Sequence, residues 1–288
     1  MDVSIERPAV YVVATPIGNL GDMGRRAAEI LDAVDFILSE DTRHSRKLLE
    51  AYGVTTSLRP LHDHNEGRMA ERVVADLEAT REACALISDA GTPLISDPGY
   101  ALVNCAVAAS IPVLTVPGPC AVTAALSVSG MPTDRFAFEG FLPARAPARE
   151  ERLRHLVQES RTLVFFEAPH RILDTLNAMI AVFGGARGAV IARELTKKFE
   201  AVYRGSLAEL SELLQSEPNT SRGEIVLVIA GRQRHPDTRE AERVIQILLE
   251  EMDSKTAIRV AKAITGLSRN LLYEAALRTN GHEDDVEI

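Results

Sequence analysis

Four short apolar runs, each stopped by glycine, proline or a polar cluster, constrain the fold of this chain more than any other feature. Val10 to Ala14 ends at Pro16 and Gly18, and Pro112 to Val116 ends at Pro117-Gly118-Pro119. Phe36 to Leu38 and Ala83 to Ser88 stand between them. Runs this short, apolar on both sides and bounded by turn residues, read as buried strands. Helical spacing fills the gaps. Ala27, Ile30, Leu31 and Val34 form one apolar stripe behind a cap at Asp22, and Thr42 to Tyr52 forms a second helix ending at Gly53. Met69, Val73 and Leu77 mark a third helix, and Leu102 to Ala109 a fourth. Strand and helix in alternation predict an α/β fold with a mostly parallel sheet covered on both faces.

Pro117 to Pro119 marks a boundary, and a second α/β unit follows. Its strands are predicted at Leu163–Phe166, Ala189–Ala192, Ala201–Tyr203 and Ile225–Ile229, and its helices at Ile172–Val182 and Leu207–Leu214. Gly140 to Pro147 reads as an exposed connection. A polar linker from Arg232 to Asp237 leads to three helices, with Ser254 and Ser268 as N-caps and Gly266 as a break. The expected domains are therefore 1–118, 119–232 and a helical appendage at 236–280, with a frayed acidic tail from Gly281 to Ile288. A length of 288 residues is enough for two such cores.

Composition removes several classes. No apolar stretch approaches the roughly 20 residues that span a bilayer. Met1 to Pro8 carries acids and no apolar core, so it does not read as a signal peptide. The cysteines, Cys84, Cys105 and Cys120, are odd in number and lack a CxxC pair. They read as reduced thiols of a cytoplasmic protein, and no zinc-ligand spacing is present. A net charge of −9 speaks against a protein that simply coats nucleic acid, though not against a local basic patch.

Ligands of open α/β sheets bind beyond the C-terminal ends of the strands, and unusual segments stand there. Thr15-Pro-Ile-Gly-Asn-Leu-Gly follows the first strand. It lacks the lysine of a phosphate-binding P-loop, and Asn19 replaces the second glycine of a dinucleotide fingerprint. Ser39-Glu-Asp-Thr-Arg-His follows the second strand. Helix capping accounts for its acids, but not for Arg43 and His44 in a first turn where positive charge is unfavourable. Ser88-Asp-Ala-Gly-Thr-Pro-Leu-Ile-Ser-Asp-Pro-Gly runs to twelve residues, where a plain connection takes about two to six. Its two carboxylates would repel a polyphosphate and suit a nucleoside-like ligand. In the second unit Phe165-Phe-Glu-Ala-Pro-His-Arg, Ala192-Arg-Glu-Leu-Thr-Lys-Lys-Phe-Glu and Arg222-Gly-Glu-Ile-Val set charge against strand ends.

In this order the segments closely resemble the tetrapyrrole methylase superfamily, and within it the methyltransferases of small-subunit ribosomal RNA. The likeness runs from about Val10 to Gly231, with a family-like helical C-terminus. It implies two α/β domains with S-adenosylmethionine in the cleft between them, and a homodimer. It also implies methylation of a cytidine ribose 2′-hydroxyl in the decoding centre of 16S rRNA, so the 16S rRNA of the small ribosomal subunit is the expected partner. By the same likeness Asp89, Ala90, Gly91, Thr92 and Pro93, with Ile95, Ser96 and Asp97, lie on the main cofactor loop. Pro119, Cys120 and Ala121 match its second contact. Phe166, Glu167 and Ala168, Arg193, Glu194 and Leu195, and Glu224, Ile225 and Val226 form the wall from the second domain. Cys120 departs from the family's usual serine, and a thiol is the weaker hydrogen-bonding group.

Methyl transfer to a ribose hydroxyl needs the two reacting atoms held near attack distance and a group that accepts the hydroxyl proton. Glu40, Asp41 and His44 are the candidate bases, with Asn19 and Arg43 placed to meet the substrate. No metal cluster is expected. Three basic groups could meet RNA: Arg43, Arg46 and Lys47; Arg145, Arg149, Arg152 and Arg154; and Lys255, Arg259, Lys262 and Arg269. A tetrapyrrole C-methyltransferase and a non-catalytic RNA-binding assembly factor are the competing readings.

Overall fold

The computed structural model describes residues 4–63, 65–232 and 238–280. Met1–Gly231 forms one compact unit and Arg232–Ile288 a second.

The first half of the larger unit is built on β1 (Ala9–Val13), α1 (Arg25–Ala33), β2 (Phe36–Ser39), α2 (Thr42–Ala51), β3 (Ser57–Pro60), α3 (Glu66–Thr80), β4 (Ala83–Leu86), α4 (Tyr100–Ala108) and β5 (Val113–Val116). The five strands lie in the order β3-β2-β4-β1-β5, all parallel. Alternate side chains go to opposite faces. Ala9, Tyr11 and Val13 pack with Ile30, Leu31 and Leu49, while Val10, Phe36 and Leu38 pack with Val73, Leu77 and Leu102. Both faces are therefore dry, as the continuous apolar strands require. Strand β3 is an addition to the predicted set, and Asp22 does not cap α1. Asp22 lies in a short 3-10 turn, and Gly24 precedes the helix without a side-chain bond.

The second half comprises α5 (Ala121–Ser129), β6 (Phe136–Phe141), α6 (Ala146–Leu156), β7 (Thr162–Glu167), α7 (Ile172–Phe183), β8 (Gly188–Arg193), β9 (Ala201–Ser206), α8 (Leu207–Ser216) and β10 (Ile225–Ile229). Its order is β6-β7-β10-β8-β9. Only β6 and β7 run parallel, and the other three pairings are antiparallel. The mostly parallel sheet expected of the first unit is thus found there, and the second sheet is mixed. The segment at 140–147 is not a bare connection, because Gly140 and Phe141 end a bulged strand and Ala146 opens α6. One face of this sheet packs under α6, α7 and α8. The other packs against α5 and takes in Ile17 from the loop after β1.

The smaller unit carries α9 (Thr238–Glu251), α10 (Ser254–Thr265) and α11 (Arg269–Asn280) around Ile245, Ile258, Ala261, Leu272 and Ala275. Asp253, not Ser254, caps α10 by accepting from the Lys255 and Thr256 amides at 3.1 Å. Gly266 ends that helix in the left-handed conformation. Most of the expected linker and the acidic tail from Gly281 lie outside the described residues. Among the described residues no helix is long and apolar enough to cross a membrane.

Candidate active site

Four loops leave the C-terminal ends of β1, β2, β4 and β5 and are stitched to one another. Thr15 and Gly91 exchange backbone hydrogen bonds of 2.8 and 3.1 Å, and the Thr15 hydroxyl donates to the Ser88 carbonyl at 3.2 Å. The Thr92 hydroxyl donates to the Pro119 carbonyl at 3.0 Å, and the Asp41 amide donates to Asp89 Oδ1 at 3.2 Å. The far end of the 88–99 loop is fixed by Glu66 of α3. Its Oε1 accepts from the amides of Gly99 (2.9 Å) and Ala101 (2.7 Å), satisfying orphan donors at the start of α4. Within the loop Leu94 and Ser96 hold φ of +73° and +69°. Side-chain-bearing residues seldom adopt that region unless their surroundings enforce it.

These loops and the rim of the second sheet enclose a cavity of about 420 Å³. Small-molecule sites commonly fall in the range of roughly 300–1,000 Å³. Of the residues assigned to the cofactor by resemblance, Asp89, Ala90, Gly91, Thr92, Ile95, Ser96 and Asp97 form the first-sheet wall, with Cys120 and Ala121 beside them. Phe166, Glu167, Ala168, Leu195, Glu224, Ile225 and Val226 form the opposite wall. Pro93, Pro119, Arg193 and Glu194 are not among the lining residues. Ile17, Phe141, Pro169 and Ala192 also line it, although the resemblance assigns them no part. Ile17, Pro169 and Ala192 belong to segments that the sequence singles out at strand ends. Phe141 carries no such signal, because it belongs to the unpredicted strand β6; its ring meets Phe166 edge-on at 5.6 Å.

The electrostatics are uneven. Burial, opposed by a Ser88 hydrogen bond and reinforced by Glu40, Asp89 and Asp63, pushes the Asp97 carboxyl up to about 6. Burial likewise raises Glu40, helped by Asp89, Asp63 and Asp41 and opposed by His62. Asp41 is different. Its carboxylate caps α2, accepting from the amides of Arg43 (2.8 Å) and His44 (3.4 Å), and those bonds hold it below the usual carboxylate range. Arg43 and His44 are exposed on the first turn of α2, outside the cavity lining. Asn19 is exposed, and its Oδ1 accepts from the Gly21 amide at 2.9 Å. On the second wall Glu167 is buried. Its carboxylate accepts from Thr175 Oγ1 at 2.5 Å and from the Ala168 amide at 2.8 Å, and Arg171 stands 3.4 Å away. Glu194 is held low. Burial opposes this, but the Glu224 amide and Lys197 outweigh it.

The basic groups fare unequally. Arg149 is buried, while Arg152 pairs with Glu139 and Arg154 with Glu150 and Glu151. Arg145 is exposed, and Arg152 and Arg154 remain about half exposed in their pairs, so of this group only Arg149 is withdrawn from the surface. Arg43, Arg46 and Lys47 are exposed, as are Lys255, Arg259 and Lys262, which share one face of α10. Among the described residues no three His, Cys, Asp or Glu side chains converge as metal ligands.

Comparison with known proteins fits this geometry. Residues 9–211 match the tetrapyrrole (corrin/porphyrin) methylases, and residues 235–280 match the RsmI C-terminal HTH domain. The ribosomal RNA small subunit methyltransferase I of Pseudomonas aeruginosa is 49% identical over 276 residues, covering 94% of this chain and 98% of that protein. The protein of the same name from Xylella fastidiosa is 50% identical over 266 residues, covering 92% and 97%. Among solved structures, uroporphyrin-III-C-methyltransferase from Thermus thermophilus shares the fold at a TM-score of 0.54 and 20% identity, over 78% of this chain and 94% of that one.

Proposed function

The chain belongs to the tetrapyrrole methylases, and on that premise we propose that it methylates the ribosomal RNA of the small subunit, using S-adenosylmethionine. The observation that carries this is the near end-to-end identity of about half its residues with proteins named for that activity, helical C-terminus included. More finely, we propose a cytidine ribose 2′-hydroxyl in the decoding centre of 16S rRNA as the acceptor, a homodimer as the working form and the cytoplasm as its place.

The residues present fit the cofactor. Ile17, Phe166, Leu195 and Val226 offer an apolar wall for a flat base, and Asp89 and Asp97 offer acceptors for hydroxyls and a counter-charge for a cation. Bound there, S-adenosylmethionine supplies a methyl group on a positively charged sulfur. The chain's own part is to hold the acceptor and take its proton. Of the three candidate bases, Glu40 is suited by environment. It is half-buried, its proton affinity is raised, and the Asp41–Asp89 bond ties its segment to the cofactor loop. The Asp41 carboxylate is occupied as a cap, which leaves it a positioning part, and His44 is an exposed alternative. Arg43, Arg46 and Lys47 on α2, together with Lys255, Arg259 and Lys262 on α10, are the exposed cations for RNA phosphates.

Labelled S-adenosylmethionine incubated with undermodified small subunits or free 16S rRNA, followed by nucleoside analysis, tests the reading. Label on a cytidine ribose is expected. Label on a base would refute the 2′-hydroxyl assignment, and absence of label from RNA would refute the activity.

A further inference from the structure

The connection from β8 to β9, Glu194 to Glu200, is pinned far more tightly than an antiparallel turn requires. The Glu194 amide donates to the Glu224 carbonyl at 2.9 Å, Lys197 to the Glu194 carbonyl at 3.0 Å and Glu200 to the Lys197 carbonyl at 3.1 Å. The Thr196 amide donates to Glu200 Oε2 at 2.6 Å, and Arg193 Nη1 donates to the Phe199 carbonyl at 3.2 Å. The Lys197 ammonium bridges Glu194 (3.0 Å) and Glu224 (3.1 Å). Its stem lies so close over Gly18 that a side chain there would collide with it, so the loop also presses on the turn after β1.

All this order presents one apolar ring to water. Phe199 is 64% exposed, with the Lys198 ammonium 5.5 Å from its ring centre. A rigid loop that holds a phenylalanine in solvent gains nothing from it in the free protein. The loop stands at the cavity rim, because Leu195 and Glu224, which anchor it, both line the cavity.

We propose that Phe199 is the stacking surface for the unpaired base of the nucleotide being methylated, with Lys198 meeting a flanking phosphate. This rests on the reading of the protein as an RNA methyltransferase. A ribose presented at a cavity mouth belongs to a nucleotide drawn out of its stack, and unstacked bases are held on exposed aromatic rings beside cations.

The test compares the full-length wild type with Phe199→Ala, Phe199→Leu and Phe199→Tyr. Three quantities are measured: steady-state methyl transfer to undermodified small subunits, S-adenosylmethionine affinity by calorimetry, and melting temperature. Loss of a base–aromatic stack is expected to lower kcat/KM by roughly five- to 150-fold in the alanine and leucine variants. Tyrosine restores it to within about threefold, since it keeps the ring. Cofactor affinity and melting temperature stay at wild-type values. A leucine variant as active as wild type would overturn the stacking role and leave the activity standing, and so would a loss mirrored in cofactor affinity. A wild type that labels no RNA would remove the functional reading and this inference with it.

Discussion

Asp97 lines the cavity proposed for the cofactor and carries a stability cost, and Asp97→Asn separates the two parts. Its carboxyl titrates near 6 against an ordinary value of 3.8, chiefly because burial disfavours its charge. A raised folded-state value means that the native protein holds the proton more tightly than the unfolded chain. The cost of ionising it is therefore complete above about pH 6 and gone below about pH 4. Each tenfold change in proton affinity is worth about 1.4 kcal/mol, which makes the full cost about 3 kcal/mol. The group is only half-buried, and solvent screening reduces this to roughly 1–2 kcal/mol. Asparagine keeps the shape and loses the charge. In the ligand-free protein Asp97→Asn should raise the melting temperature at pH 7.5 by roughly 2–8 °C. At pH 5 about half of that gain remains, because wild-type Asp97 is then mostly protonated when folded and mostly ionised when unfolded. Affinity for S-adenosylmethionine at pH 7.5 should fall, because the counter-charge is gone. Calorimetric melting at both pH values and a binding titration read out all three. A variant no more stable than wild type at pH 7.5, or a gain independent of pH, would refute the argument.

Four other substitutions probe the loops. Glu40→Gln should slow methyl transfer by about 10²–10⁴-fold with cofactor affinity unchanged, as a lost proton acceptor would; Asp41→Ala should instead lower the melting temperature, because α2 loses its cap. Cys120 opens α5 without a side-chain hydrogen bond. Cys120→Ser should therefore add roughly 0.5–1 kcal/mol to unfolding free energy in denaturant melts. Gly99 has φ of +135° and space for no Cβ, which would lie 2.5 Å from Leu86 Cδ2. Gly99→Ala should cost about 1–3 kcal/mol and weaken cofactor binding, since it displaces the loop that Glu66 anchors; thermal melts and the same binding titration check both effects.

What the sequence discloses depends on how local the cause is. Strands β1, β2 and β4 are legible because they are apolar on both faces and end at turn residues. Strand β3, Ser57-Leu-Arg-Pro, is an edge strand with half-exposed residues, and its pairing with β2 decides its state more than its composition does. Strand β6 hides behind Gly140 and a bulge. Helix α5 is apolar nearly all round, so it shows no stripe. Strand direction is harder still. Ile225-Val-Leu-Val-Ile is buried throughout, like a strand of a parallel sheet, yet both its neighbours run against it. Only loop length carries the sign. Seven residues join β8 to β9, too few for the helix that a parallel return needs, so the antiparallel direction of this pair at least is legible in the chain.

The site shows the same division more sharply. Each chemical segment announces itself at a strand end, but nothing in the chain order says which segments are neighbours. The sheet order does. Placing β4 between β2 and β1 sets the 88–99 loop beside both other loops, so that Asp89 receives the Asp41 amide and Gly91 pairs with Thr15. The charges follow from that adjacency. Glu40 and Asp97 are 57 positions apart in the chain, and each lies close enough to Asp89 and Asp63 to have its proton affinity raised. Asp89 and Asp97 on the cavity wall, with Glu40 and Asp63 close by, favour a cationic ligand, because positive charge offsets both the burial and the mutual repulsion. A sulfonium cofactor satisfies that condition, and the same carboxylates would repel a nucleotide polyphosphate. The ligand preference is thus a property of the topology: Glu40, Asp89 and Asp97 can be found by inspection of the sequence, but Asp63 joins them only through the fold.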